Sequence, residues 1–140
     1  MLQFYKHSTM YLLKRKYLFP LIWLGLIVYA SLTPSNNFPH FNVFPHFDKF
    51  VHFCIYLGLS FLLVPALVRN KKYLQSYFIS FLLSMSVGII FELLQTYFST
   101  TRSGSMFDEL ANVAGALVGV IIYQLMFRNR KIEQVIFRIE

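Results

Sequence analysis

Charge is what this chain is short of. Only 14% of its 140 residues are charged, where a soluble domain carries roughly 25%. A single cysteine, Cys54, excludes an internal disulfide framework, and its place in an apolar run predicts a buried apolar role. The motifs of several enzyme classes are missing as well. There is no His-Glu-x-x-His pair for a zinc protease, no Gly-x-Ser-x-Gly elbow and no P-loop. What fills the chain instead is apolar: 56% hydrophobic and 19% aromatic residues, with 16 Phe and 9 Tyr. That balance excludes an ordinary cytosolic enzyme, a disordered regulator and a disulfide-stapled secreted module. The net charge of +7 does not signal nucleic acid, because the basic residues fall between apolar blocks and not on one exposed face. No nucleic-acid partner is expected, and membrane lipids are.

Four apolar runs account for most of the length, at about 20 residues per membrane crossing. The first extends over about Tyr17–Leu32 and ends at Pro34, with Pro20 expected in its first turn, where proline is tolerated. An uncleaved helix is favoured there over a signal peptide, since the run is long and Tyr29-Ala30-Ser31 is a poor cleavage site. A polar loop, residues 33–49, repeats Phe38-Pro39-His40-Phe41 as Phe44-Pro45-His46-Phe47. The second run covers about Phe50–Val68, with Pro65 in its last turn. The third, Tyr73–Phe98, holds one charge, Glu92. A polar hinge from Ser99 to Asp108 precedes the fourth, about Leu110–Phe127. The expected fold is an all-α membrane protein of four transmembrane helices. Residues 1–16 are expected to form a basic N-terminus, 17–127 the membrane domain and 128–140 a basic tail whose Ile132, Val135, Ile136 and Ile139 fall at helical spacing, suited equally to the inner leaflet and to a cytoplasmic partner.

The distribution of cations predicts the topology. Four precede the first run, three (Arg69, Lys71, Lys72) separate the second and third, and four follow the fourth, against Lys49 and Arg102 alone in the other two segments. The positive-inside rule therefore places both termini in the cytoplasm and the 33–49 and 99–108 segments outside.

Polar residues inside membrane helices are costly, so where they fall is informative. Asp48, His52 and Tyr56 stand four residues apart on the outer end of helix two. Glu92 and Gln95 stand near the outer end of helix three, Asp108 and Asn112 on that of helix four, and Arg102 in the loop between. Glu92 lies six residues in from Phe98, roughly 9 Å at about 1.5 Å per residue. Its expected partners are Arg102, His52 or Lys49. Two readings compete: a hydrogen-bonded plug that fixes helix order, and a pocket open to the outside. The pocket is favoured, because a plug does not need both acidic and basic members. A metal site from His52, Glu92, Asp48 and Asp108 is weighed and set aside for want of tight ligand spacing, so neither metal nor cofactor is expected. His40 and His46 are read as interfacial. Ser80, Ser84, Gly88 and Glu92 on helix three, and Ala111, Gly115 and Gly119 on helix four, form small-residue stripes for close helix packing, with a homodimer face as the less favoured use.

Taken in order, Ser31-Leu32-Thr33-Pro34, Asp48-Lys49-Phe50-Val51-His52-Phe53 with Tyr56, Glu92-Leu93-Leu94-Gln95, Arg102, Asp108, Asn112 and Gly115 resemble the pattern of the VanZ-like family of small bacterial membrane proteins. The resemblance covers residues 17 to about 127 and leaves out the Phe-Pro-His-Phe repeat and the basic tail. It implies a multi-pass protein of the bacterial cytoplasmic membrane. Its name comes from resistance to teicoplanin, a glycopeptide antibiotic that acts on cell-wall precursors outside the membrane. It carries no established reaction.

Two functions of different class follow. In the first, the outward pocket binds a lipid headgroup, cell-wall precursor or glycopeptide, with Lys49 and Arg102 suited to phosphate or carboxylate and Asp48 and Glu92 orienting them. In the second, the protein is an intramembrane enzyme on a lipid-linked substrate, with His52 or Glu92 as general base and Arg102 stabilising developing charge. The absence of a distinctive nucleophile beyond Tyr56, Ser99 and Ser103 favours the first. Transport is a third option that four helices serve poorly.

Overall fold

A computed structural model describes residues 2–33, 45–69, 72–98 and 105–128, with side chains from residue 16 onward. Four helices follow in order: α1 (Leu2–Leu32), α2 (Phe47–Leu67), α3 (Tyr73–Phe98) and α4 (Met106–Met126), and there is no strand among the described residues. Three stretches are long and apolar enough to cross a membrane, Phe47–Leu67, Tyr73–Tyr97 and Met106–Met126. In α1 the described apolar stretch is shorter, Lys16–Leu32.

The polarity of the bundle is inverted relative to a soluble one. Ser60, Ser80 and Ser84 are each 0% exposed, while Leu74 is 82% exposed and Tyr97 77%. Cys54, expected to be buried, is exposed on α2 as well. Water would reverse that arrangement; hydrocarbon tolerates it, because lipid is as apolar as leucine and helices associate there through small residues and close packing.

α2 and α4 form the most extensive interface of the bundle. Its cause is glycine. A Cβ on Gly115 would run into the backbone carbonyl of Phe53, and one on Gly119 into Ser60 Oγ and the Leu57 carbonyl. Gly115 and Gly119 thus lie one turn apart against Phe53 and Leu57, also one turn apart. This GxxxG stripe is spent inside the chain. At the opposite end, Val64, Val68, Tyr73, Tyr77, Val120 and Tyr123 make an apolar cluster. α1 is held to α2 by Trp23, whose indole Nε1 donates to the Ile55 carbonyl at 2.9 Å and whose ring rests on Gly58. Around Tyr56, Ile27 and Leu59 this contact closes a second apolar cluster.

Three element boundaries differ from expectation. α1 begins at Leu2, not Tyr17, because residues 2–16 contain neither Gly nor Pro and their Lys, Arg, Leu and Met are good helix formers. Pro20 therefore lies inside α1, not in its first turn, and removes one backbone hydrogen bond there. α2 starts at Phe47, after His46 in the left-handed conformation (φ 62°), whose carbonyl accepts from Lys49 N and Phe50 N. α4 starts at Met106, four residues before the apolar run at Leu110, and carries Asp108 in its first turn. Ser105 caps it, its side chain accepting from Phe107 N at 3.2 Å.

Candidate functional site

The outer polar residues of α2, α3 and α4 meet between the helices. The glycine contact of Gly115 with Phe53 fixes the register, which brings the adjacent His52 level with Asn112, one turn before Gly115. His52 Nδ1 lies 3.0 Å from Asn112 Oδ1, and Asn112 Nδ2 donates to Glu109 Oε2 at 3.0 Å. With its nitrogen committed to Glu109, the Asn112 oxygen accepts, so Nδ1 of His52 carries the proton. In the neutral form of the ring this tautomer keeps the lone pair on Nε2.

Lys49 reaches two carboxylates. Its Nζ donates to Asp48 Oδ2 at 2.8 Å and across to Asp108 Oδ1 at 2.9 Å. Asp48 is largely exposed, whereas Asp108 retains only 14% of its side-chain surface. The Lys49–Asp108 contact is thus the more sheltered half of the bridge and links α2 to α4.

Glu92 finds partners at the start of α4. Its Oε2 accepts from the backbone N–H of Ser105 at 2.9 Å, and its Oε1 lies 3.8 Å from His52 Nδ1. The carboxylate therefore satisfies one of the amides exposed at the N-terminus of α4, at the positive end of the helix dipole. Asp108 and Glu109 in the first turn of α4, and Asp48 in that of α2, benefit from the same field. Glycine makes the space: a Cβ on Gly88 would stand 2.7 Å from Glu109 Oε2 and 3.2 Å from Asn112 Nδ2.

Of the residues singled out from sequence, Asp48, Lys49, His52, Glu92, Asp108 and Asn112 form this connected group. Tyr56 is buried one turn deeper, within electrostatic reach of Glu109 and Glu92. Gln95, also buried, turns to α1, its Nε2 donating to the Ser31 carbonyl at 3.4 Å. Arg102 lies outside the described residues, as do His40, Ser99, Ser103 and the tail 129–140. His46 is exposed at the mouth of α2.

Two members escaped the sequence. Ser105 was legible as a helix start, since Ser followed by Asp three residues on is a capping pattern. Glu109 was legible as the residue three before Asn112, a spacing that puts both on one helix face. Glu109 Oε1 is buried and meets no hydrogen-bond partner among the described residues. His52, Glu92 and Asp108 each offer one ligand atom, and these three atoms lie within 4.8 Å of one another.

The VanZ/LLP1 family model matches residues 3–127, which include α2, α3 and α4 in full, and the chain belongs to that family. No curated protein and no solved structure matches it.

Proposed function

We propose that this VanZ/LLP1-family chain is a four-span protein of the bacterial cytoplasmic membrane, both termini inside, whose polar cluster opens outward and binds an envelope ligand. The ligand class is a lipid headgroup, a cell-wall precursor or a glycopeptide, and through it the protein contributes to teicoplanin resistance. One observation carries the reading: α2, α3 and α4 bring charged and amide side chains together at one end of an otherwise apolar bundle. Charged groups in such a place are expensive unless a function retains them. The eleven cations in the N-terminus, the 69–72 turn and the tail supply the orientation, and the apolar stretch Lys16–Leu32 of α1, at the short end of a crossing's length, supplies the fourth span.

The electrostatics narrow the ligand. Among the described residues, Asp48, Glu92, Asp108 and Glu109 are four carboxylates against the single ammonium of Lys49, which has already committed two of its three N–H donors. This surface suits a cationic group directly, such as an amine.

A second reading, an intramembrane enzyme, has its own support in the His52 tautomer. An imidazole oriented through Nδ1 by Asn112, with Glu92 alongside, has the arrangement of a general base.

The test is expression in a teicoplanin-susceptible bacterium. Wild type should raise the inhibitory concentration of teicoplanin, and Glu92→Gln, His52→Ala and Asp108→Asn should abolish the effect at equal membrane abundance. Variants that protect as well as wild type would contradict the pocket. For the enzymatic reading, the Glu92→Gln protein should retain ligand and lose turnover.

A further inference from the structure

We propose that His52, Glu92 and Asp108 hold a first-row divalent cation, with Zn2+ the best-suited ion, at the outer end of the bundle. This deepens the pocket reading and rests on it for any contact between the ion and an envelope ligand; the ion site itself stands on the residues alone. Three helices contribute one ligand each, so the set is assembled by the fold and not by local sequence. Their ligand atoms lie within 4.8 Å of one another. Ligands on a common Zn2+ at about 2.0–2.2 Å are about 3–3.5 Å apart, so side-chain rotations of about 1 Å complete the site.

Three features beyond proximity support a cation. The first is charge. Among the described residues four carboxylates gather here with one lysine and one histidine, and a doubly charged ion bound by two carboxylates and one imidazole forms a neutral unit, the state a low-dielectric site favours. The second is the outer shell. Metal-bound histidines donate their other ring nitrogen to a fixed acceptor; with an ion on Nε2, His52 Nδ1 would keep Asn112 Oδ1 at 3.0 Å as that acceptor, itself held by Glu109. The third is Glu109 Oε1, a buried acceptor with no hydrogen-bond partner among the described residues. Glu109 is within electrostatic reach of both Glu92 and His52. Lys49 does not block the site, since it occupies one Asp108 oxygen and leaves the second. The mixture of one nitrogen and two oxygens selects transition ions and Zn2+ over Mg2+, which demands more oxygen ligands. Three protein ligands leave a coordination position open. There a phosphate or carboxylate of an envelope ligand could bind a site whose own charge would otherwise repel it.

The experiment uses the full chain in detergent, stripped with chelator and titrated with ZnCl2 alone. Wild type should bind one Zn2+ per chain and melt at higher temperature with it. His52→Ala, Glu92→Gln and Asp108→Asn should each weaken binding by about tenfold or more, and Asn112→Ala, acting through His52, by about tenfold. The exposed Gln124→Ala should bind as wild type. Should the variants fail to fold, Co2+ in the wild-type protein decides: visible d–d bands of histidine and carboxylate ligation support the site. Wild type that binds no Zn2+ above a detergent blank, the three variants binding like wild type, or no Co2+ bands would each overturn it. The two readings separate cleanly. Absence of Zn2+ binding in a protein that still confers teicoplanin resistance removes the ion and leaves the pocket. Zn2+ on these three residues in a protein that binds no envelope ligand removes the pocket and leaves the ion.

Discussion

Gly115 of α4 lies against the backbone carbonyl of Phe53 in α2 so closely that a single methyl group would collide with it. Because His52 adjoins Phe53 and Asn112 is one turn from Gly115, this contact sets the register of the polar site. Gly115→Ala should destabilise the protein in detergent by about 2 kcal/mol, the scale of overpacking a tight core. Gly119→Ala, against Leu57 and Ser60, should do the same. Thermal unfolding in detergent checks both, and Gly25→Ala, which has open space around it, should be close to neutral.

The lone tryptophan reports on α1. Gly58→Leu would fill the space of the Trp23 ring, 2.5 Å from a Cβ at that position, and break the bond of Trp23 to Ile55. The emission spectrum should shift as the indole moves from a packed, hydrogen-bonded site towards lipid or detergent. An unchanged spectrum would mean that α1 is held otherwise.

Lys49 and Asp108 should be energetically coupled. In a double-mutant cycle of Lys49→Met and Asp108→Asn, the interaction energy should be about 1 kcal/mol, above the range of fully exposed pairs and below that of buried ones. The outer half of the bridge, Lys49 with the exposed Asp48, should give less.

Glu109→Gln separates charge from hydrogen bonding. The amide oxygen can still accept from Asn112, while a buried carboxylate beside Glu92 disappears. The metal-free variant should be more stable than wild type by about 1 kcal/mol, measured by chemical or thermal denaturation.

Orientation is open to labelling. In a Cys54→Ser background, Met106→Cys, 84% exposed at the start of α4, should react with a membrane-impermeant maleimide in intact spheroplasts. Leu74→Cys, at the start of α3, should react only after lysis. The opposite pattern would turn the polar cluster inward.

How far the sequence carried depends on what delimits each element. The approximate ends expected for α3 match the helix, because Lys72 and Ser99 bracket a long run with a single charge, Glu92. α1 was cut short because a run of basic residues looks like a boundary, although lysine and arginine propagate helix well. α4 was begun late because Asp108 and Glu109 look like the end of a polar hinge until Ser105 is recognised as a cap. Helical spacing placed Asp48, His52, Glu92, Asp108 and Asn112 at one level. It could not choose partners, which depend on rotamers and on which helix faces which. That is why Glu92 pairs with the Ser105 amide, a partner no side-chain list contains, and why Gln95 turns to Ser31. Glu109 went unnoticed because it follows Asp108 directly, and neighbours in a helix point about 100° apart. Here the first turn of α4 sits between α2 and α3, so both faces are inside.

The most direct measurement is the set of molecules that the protein carries out of its own membrane. Native mass spectrometry of the chain released from bacterial membranes should show an envelope lipid or precursor bound at about one per chain. That species should be lost from Glu92→Gln, His52→Ala and Asp108→Asn and kept by Gln124→Ala. An identical bulk-lipid profile for wild type and all variants would contradict a binding site at the outer end of α2, α3 and α4.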